Sequence, residues 1–240
     1  SYFAFKGKVQ KVIKDEEFKF YSIFTIAFSI MCALVIFYGA DVPVSDYHPQ
    51  VLGGFESSFR HAIFQVISVV TTTGFVTADF SSWTPFLSVF FFGLMFVGGS
   101  AGSTSGGVKV VRHLVLIKNG FLEFKRTLHP SAVLPVRYNN KSVSGDIVFN
   151  VLGFFILYML SFIVGSLGFA LLGLDFESAI GVAASSLGNV GPALGDLGPV
   201  NNYASLSDPA KWWSAFLMLI GRLELFTVLI LLTPYFWRNR

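Results

Sequence analysis

Two short uncharged segments decide the fold: HAIFQVISVVTTTGFVTA at residues 61–78 and SAIGVAASSLGNVGPALG at residues 178–195. Each has 18 residues, fewer than the roughly 20 that a spanning helix needs, and each carries Thr, Ser, Asn or Gly in its second half. Irregular backbone at membrane depth is tolerated where it is buried in protein or lines a wet cavity. We therefore predict two re-entrant segments, in which a helix dips into the membrane and a loop returns.

The two segments are similar to each other. Shifted by 117 residues, they are identical at five of sixteen positions. The aligned residues are Phe59, Ala62, Ile63, Ser68 and Gly74 with Phe176, Ala179, Ile180, Ser185 and Gly191. The long and short apolar blocks follow the same order around both segments, so the sequence predicts an internal duplication.

Four longer apolar blocks flank the short segments, at residues 20–40, 80–108, 147–174 and 212–237. The chain of 240 residues is 53% hydrophobic and 13% charged, whereas a soluble domain has roughly 25% charged residues. This composition excludes a soluble globular protein and a disordered one. We predict an all-α integral membrane fold with two repeats, each a spanning helix (M1), a pore helix and a second spanning helix (M2).

Lys and Arg residues determine the predicted orientation. Five lie in residues 1–19, seven in 109–141 and two in 238–240. Since Lys and Arg concentrate in cytoplasmic loops, we predict that both termini and the linker between the repeats are cytoplasmic. The net charge of +3 therefore reflects membrane topology and does not indicate nucleic-acid binding.

A polar loop follows each short helix and suits cation binding. The loops contain Thr72, Thr73 and Gly74 in the first repeat and Asn189, Val190 and Gly191 in the second. A cation that enters a membrane must exchange its water for oxygen ligands, which backbone carbonyls supply in potassium filters. Glycine permits the backbone angles that such a turn requires. The alternative is a helix end capped by glycine.

Several motifs resemble the Trk/Ktr/HKT superfamily of potassium transporters, in particular a Trk-type membrane subunit. They are Thr72-Thr73-Gly74-Phe75, Asn189-Val190-Gly191-Pro192, the run GGSAGSTSGGVK at 98–109, and Gly221-Arg222-Leu223-Glu224. The resemblance covers about residues 18 to 238 and implies potassium uptake across the bacterial inner membrane, with helix–pore helix–helix repeats around a central pathway. The family uses four repeats and this chain has two, which are identified as the third and fourth.

The resemblance also implies ligands and partners. It implies K⁺ at Thr72, Thr73, Asn189 and Val190, no organic cofactor, a homodimer, and a cytoplasmic nucleotide-binding regulatory subunit near the basic linker. The chain begins at Ser1 with a basic segment, and we expect it to be an excerpt that lacks the N-terminal pore repeats.

The predicted boundaries follow from the blocks and the motifs. The first 17 residues are a cytoplasmic lead-in. The first repeat, at 18–118, has M1 at about 19–40, a pore helix at about 57–70, a filter at 71–75 and an M2 at about 84–118. This M2 is broken by an intramembrane loop at 98–107. A linker at 119–145 precedes a second repeat at 146–238, with M1 at about 146–173, a pore helix at about 176–187, a filter at 188–192 and M2 at about 211–238.

The glycine-rich run at 98–107 interrupts an apolar block, and we predict a movable gate there. Its glycines are Gly98, Gly99, Gly102, Gly106 and Gly107. Gly98 to Gly102 also matches the G-x-S-x-G pattern of serine hydrolases, with Ser100 as nucleophile, but an apolar helix precedes it instead of a strand. A phosphate-binding loop is excluded because Val108 stands where that motif requires Lys. The alternative to a gate is that the run forms a kink with only a packing role.

Arg222 lies within the last apolar block. An arginine at mid-membrane costs roughly 2.5–3.5 kcal/mol on translocon scales, so it should face water or an acid. Glu224 points away from it on a helix. The resemblance implies that Arg222 is a positive barrier below the filter, and a structural ion pair is the alternative. Besides a potassium pore, the sequence leaves open an intramembrane serine hydrolase and a non-conducting membrane subunit.

Overall fold

Helices account for almost all regular structure in the chain. The fold is known from a computed structural model, which describes residues 9–39, 54–223, 225–231 and 233–238. Residues 1–8 of the predicted lead-in and Glu224 lie outside these ranges, as does residue 40 at the predicted end of the first M1.

The elements come in two similar series. The first contains α1 Val9–Lys14, α2 Glu16–Gly39, α3 Phe55–Val70, α4 Pro85–Leu94 and α5 Val110–Leu128. The second contains β1 Arg137–Tyr138, β2 Lys141–Ser142, α6 Gly145–Leu171, α7 Phe176–Gly188, α8 Asp208–Arg222, α9 Leu225–Leu231 and α10 Pro234–Arg238, with 3₁₀ turns at Gly195–Leu197 and Tyr203–Ser205 before α8. The pore helices predicted at 57–70 and 176–187 overlap α3 and α7.

Polar side chains mark where several helices begin. The Oδ1 of Asp15 accepts the backbone N–H of Glu17 (2.9 Å) at the start of α2. Thr84 accepts from Leu87 (3.2 Å) at the start of α4, where Pro85 is the first helical residue. Such side chains satisfy N–H groups that have no partner inside the helix, so these caps determine where the helices start.

Two described helices are long and apolar enough to cross a membrane: Glu16–Tyr38, with a mean hydropathy of 2.3, and Gly145–Leu171, with 2.5. Large apolar side chains on both are exposed in the chain, among them Ile23 and Leu167. Such surfaces suit a hydrocarbon environment and not water. The helices α8 and α9 together would provide a third span, and they are bent by 115°.

Both predicted M2 segments are interrupted. The first consists of α4 and α5 on either side of the glycine-rich run, and α5 continues past the predicted end at 118. The second, predicted at about 211–238, contains α8, α9 and α10. Pro234 begins the last of these, since proline lacks the N–H that would continue a preceding helix.

The predicted linker at 119–145 contains structure of its own. Its first part belongs to α5, and residues 137–142 form an antiparallel β-hairpin that pairs Arg137 with Ser142 and Tyr138 with Lys141. Asn139 (φ 48°) and Asn140 (φ 61°) form its turn. Two-residue hairpin turns need positive φ at both positions, which Asn tolerates better than most residues.

Buried side chains join the elements in three main clusters. One joins α2, α3 and α4 around Cys32, Val66 and Phe91. A second joins α6, α7 and α8 around residues such as Phe169 and Val182. A third connects the end of the glycine-rich run with α6, α7, α8 and α9. Val190 of the second polar loop lies in the first cluster, and Val108, at the end of the glycine-rich run, lies in the third.

Candidate functional site

The first polar loop, at 71–75, folds back against α3 and is held by Ser68. The Ser68 carbonyl accepts the backbone N–H groups of Thr73 (2.9 Å) and Gly74 (3.4 Å), and its Oγ donates to the Phe75 carbonyl (2.6 Å). Thr72 (φ 54°) and Gly74 (φ 77°) have left-handed backbone. These angles end the helix and reverse the chain within a few residues.

The second loop, at 188–192, has the same construction around Ser185. The Ser185 carbonyl accepts the N–H of Val190 (2.9 Å). Its Oγ donates to the Gly191 carbonyl (2.9 Å) and accepts the Gly191 N–H (3.1 Å). Asn189 (φ 54°) and Gly191 (φ 114°) are left-handed. Thr72 and Asn189 thus share left-handed backbone, as do Gly74 and Gly191, and the N–H groups of Thr73 and Val190 bind equivalent serine carbonyls. The two serine hydroxyl groups bind loop carbonyls that are one position out of register.

Both serines were visible in the sequence alignment, but sequence reasoning assigned them no role. Ser68 and Ser185 are identical residues in the duplicated segments. In the structure each donates its hydroxyl to a carbonyl of the loop that follows. Identity at a polar position inside an apolar helix was the signal that could have found them.

The two loops touch each other at Gly74. A Cβ added there would lie 2.3 Å from the carbonyl oxygen of Val190, which is closer than real atoms approach. A Cβ added at Gly191 would lie 3.6 Å from the Cα of Gly74, an ordinary contact. The structure therefore brings both groups of predicted filter residues together, and Gly74 is the tightest point of their contact.

Further bonds fix the second loop. The Tyr203 hydroxyl donates to the Gly191 carbonyl (2.8 Å), and burial raises the pKa of this tyrosine. The Asn189 side chain donates to the Met218 carbonyl of α8 (3.1 Å). Sequence reasoning attached no function to Tyr203, because its contact depends on how the chain between α7 and α8 folds back.

The glycine-rich run forms a closed loop in contact with the second polar loop. Its ends meet where Gly98 donates to the Val108 carbonyl (2.9 Å). A Cβ at Gly106 would lie 2.3 Å from the Gly188 carbonyl oxygen and 2.9 Å from the Cβ of Asn189. The segment 100–104 is exposed, whereas the ends of the loop are buried. All five predicted gate glycines thus lie in one folded loop against the end of α7.

Lys109, which follows the C-terminal end of this loop, binds back to residues within it. Its ammonium donates to the carbonyl oxygens of Ser103 (2.9 Å) and Ser105, and it lies 3.4 and 3.3 Å from their hydroxyl oxygens. Four oxygen atoms around a cation satisfy most of its hydrogen-bonding capacity. Sequence reasoning counted Lys109 as a topological charge and as the last residue of the run at 98–109, and predicted no contact for it.

Arg222 is the last residue of α8, and its side chain is exposed in the chain. The preceding Gly221 packs so closely on α7 that a Cβ there would lie 1.9 Å from the Leu187 carbonyl oxygen. Arg222 therefore lies next to the base of the second loop. Glu224, which the sequence analysis excluded as its partner, lies outside the described residues.

Ser100 lacks the surroundings of a hydrolase nucleophile. It lies in the exposed part of the glycine-rich loop, and a helix and a turn precede it instead of a strand. The imidazole of His61 contacts the hydroxyl of Thr77 (3.1 Å), and that of His113 contacts the Lys109 carbonyl (3.3 Å). Among the residues that the structure describes, the geometry offers no support for a Ser–His pair at Ser100.

An open groove of about 630 Å³ runs along the first pore helix. Its lining includes Ser57, Arg60, Phe64, Ile67, Thr71 and Phe75. Thr71 and Phe75 belong to the first polar loop, so that loop is open on the side that faces the groove. Val190 of the second loop, by contrast, is only 3% exposed.

Comparison with known proteins assigns the chain to a family. A family model described as "TrkH: Cation transport protein" matches residues 11–237. The chain is 46% identical over 184 residues to the Trk system potassium uptake protein TrkI of Halomonas elongata, covering 76% of this chain and 37% of that protein. It is 38% identical over 234 residues to TrkH of Salmonella typhimurium, covering 97% of this chain and 46% of that protein.

A solved structure has the same fold. The crystal structure of the potassium transporter TrkH from Vibrio parahaemolyticus superposes with a TM-score of 0.86 at 38% identity, covering 98% of this chain and 48% of that one. The chain spans less than half the length of these relatives. The family comprises transport proteins and not enzymes. The match over nearly all residues shows that this chain belongs to the TrkH family of cation transport proteins.

Proposed function

We propose that the chain forms half of a potassium-uptake pathway across the bacterial cytoplasmic membrane. The observation that carries the proposal is the pair of loops at 71–75 and 188–192, which share one backbone geometry and touch at Gly74 and Val190. The similar proteins are named for potassium uptake. Loops of this kind around one axis supply the oxygen ligands that replace the water shell of K⁺.

In this proposal, oxygen atoms of Thr72, Thr73, Asn189 and Val190 hold the ion. The Gly191 carbonyl already accepts bonds from Ser185 and Tyr203, so Gly191 gives the loop its shape. Gly74 has the corresponding role in the first loop, where any side chain would strike the neighbouring loop.

The glycine-rich loop at 98–107 is the proposed gate below the filter. Its close contact with Gly188 supports a position at the inner end of the second polar loop. Arg222 is the proposed barrier, because a positive charge beside the base of that loop repels a cation that leaves the filter. Arg222→Ala should therefore increase K⁺ flux without a large loss of thermal stability.

The complete assembly contains more than this chain. We propose that two further pore repeats, from the rest of a longer polypeptide, cover the groove beside Phe75 and complete the filter. The chain spans less than half of its relatives, and the groove exposes one side of the first loop, which together favour this occupant. A homodimer, cytoplasmic termini, a cytoplasmic linker and a cytoplasmic nucleotide-binding regulatory subunit belong to the same proposal.

Gly74→Ser in the complete protein tests the filter. The added Cβ would strike the Val190 carbonyl, so we expect the preference for K⁺ over Na⁺ to narrow. Competitive uptake in cells that lack other potassium transport measures this preference. Gly93→Ser is the matched control, since a Cβ at Gly93 has nothing within 4 Å. An unchanged ion preference would contradict the filter assignment, and no uptake by the unaltered protein would favour a non-conducting subunit.

A further inference from the structure

The acidic turn at the start of α2, residues 15–17, contacts both the glycine-rich loop and the β-hairpin at 137–142. Neither sequence pattern nor the proposed function gives these residues a role. The contacts join three segments that are far apart in the chain, since Glu17 and Ala101 are 84 positions apart. They involve five titratable side chains, those of Asp15, Glu16, Glu17, Lys118 and Tyr138, and the amide of Asn139, each considered below.

Glu17 binds the exposed part of the glycine-rich loop. Its Oε1 accepts the backbone N–H of Ala101 (2.5 Å), and the residue is only 8% exposed. A bond from an amide to a carboxylate is roughly twice as strong as one between neutral groups. The bond lies within 100–104, where the loop is otherwise exposed, so Glu17 fastens this part of the loop to α2.

Asn139, in the turn of the hairpin, binds the two residues before Glu17. Its side-chain nitrogen donates to the Oδ2 of Asp15 (2.9 Å), and its side-chain oxygen accepts the N–H of Glu16 (2.9 Å). Its own backbone N–H donates to the Oε2 of Glu16 (3.1 Å). Asp15 uses its other oxygen to cap α2 at Glu17. The hairpin turn is therefore attached to the residues that position Glu17.

Lys118 adds a second connection. Its ammonium donates to the Oε2 of Glu16 (2.5 Å) and to the Arg137 carbonyl (2.9 Å). Lys118 belongs to α5, which follows the glycine-rich loop directly. Burial, together with the carboxylates of the acidic turn, raises the pKa of Tyr138 to about 12, consistent with a hairpin that faces this turn.

We propose that Glu17 is a positioning residue that holds the glycine-rich loop in place, and that the hairpin at 137–142 controls this hold through Asn139 and the acidic turn. Displacement of the hairpin moves Asp15 and Glu16, withdraws Glu17 from Ala101 and releases the loop. The effect on ion flux rests on the proposed gate, whereas the mechanical link can be measured without any transport.

The test uses the complete protein in proteoliposomes, with hydrogen exchange of peptides covering 98–107 and K⁺ flux measured on the same preparations. Glu17→Ala should speed exchange in this segment by about tenfold, since a charge-assisted bond is lost, and should raise K⁺ flux. Glu17→Gln keeps an acceptor oxygen, so its exchange rate in this segment should lie between those of the unaltered protein and of Glu17→Ala. Asn139→Ala should speed exchange in the same segment by a smaller factor.

Two control variants separate this link from a general increase in hydrogen exchange caused by lower stability. Lys141→Ala alters the same hairpin at an exposed residue, and Glu123→Ala removes an exposed carboxylate of α5 that pairs with Arg126. Neither should change exchange at 98–107.

Unchanged exchange in Glu17→Ala overturns the positioning role, and a response to Glu17→Ala without one to Asn139→Ala overturns the link to the hairpin. Should Glu17→Ala fail to fold, Glu17→Gln decides, because exchange equal to that of the unaltered protein overturns the role. Absence of K⁺ flux from the unaltered protein contradicts the proposed function, while the exchange data still decide the link.

Discussion

Behind the first polar loop, side chains of α3 reach across to the returning chain, whereas behind the second, α7 allows backbone to approach backbone. Gln65 is completely buried and donates to the Ala78 carbonyl. In the second repeat Gly181 of α7 lies against the returning chain, where a Cβ would lie 2.6 Å from the backbone nitrogen of Leu194. Two loops with one backbone geometry are therefore stabilised by different chemistry.

The surroundings of the loops differ as well. Phe75 of the first loop is 69% exposed beside the groove, but Val190 of the second is 3% exposed. The second loop meets α8, the glycine-rich loop and the first loop, so neighbours on several sides determine its conformation. The first loop depends mainly on its own helix. Substitutions around the second loop should therefore have the larger effects on stability.

Gly221→Ala tests the packing below the second loop and should have the largest effect. A Cβ there would lie 1.9 Å from the Leu187 carbonyl oxygen, so α8 must move away from α7. Overpacking of this kind costs up to about 3 kcal/mol, and we expect a clear fall in Tm in detergent. Gly93→Ala is the matched control, and an equal Tm for both variants would contradict backbone packing as the main support.

Gly74→Ala and Gly191→Ala compare the loops where they meet. Both positions have positive φ, which costs a side chain of order 1–2 kcal/mol. Only the Cβ at Gly74 would also meet a backbone oxygen, that of Val190. We expect Gly74→Ala to lower the K⁺/Na⁺ preference more than Gly191→Ala does, measured by competitive uptake in the complete protein. Equal losses would mean that backbone strain alone controls selectivity.

Gln65→Val gives the first repeat the residue that the second has at the equivalent position, Val182. The Ala78 carbonyl would lose its bond to the Gln65 side chain, and we expect a loss of about 2 kcal/mol. Thermal unfolding in detergent measures it. Ile67→Val, at an exposed position of the same helix, is the control. No loss would show that the first loop can also be held by apolar packing alone.

Ser185→Ala and Tyr203→Phe test whether two hydroxyl groups stabilise the second loop through one carbonyl. The coupling energy between these two substitutions is the smallest effect that we predict. Each single change leaves the Gly191 carbonyl one partner, and the double change removes both. We expect the double variant to lose about 1 kcal/mol more than the sum of the single losses. Strict additivity in thermal unfolding would show that the two hydroxyl groups do not act on one carbonyl.

Much of the secondary structure could be predicted because its signals are local. The apolar runs of α3 and α7 end at a polar residue and a glycine, and both helices stop close to the predicted residue. The break after Arg222 was missed, because the block at 212–237 is apolar on both sides and its composition contains no clear stop. The strands of the hairpin were also missed, since two residues per strand are too few to show a period.

The sequence by itself determined the class of protein, the duplicated segments, the glycine-rich loop and the family resemblance, because each depends on composition or on residues close together in the chain. Only the tertiary structure decided which atoms meet: Gly74 with the Val190 carbonyl, Gly106 with Gly188, and Glu17 with the Ala101 N–H. These contacts join residues from about 80 to more than 110 positions apart. Such approaches follow from how the helices pack together, and helix packing leaves no local pattern from which a particular contact can be read.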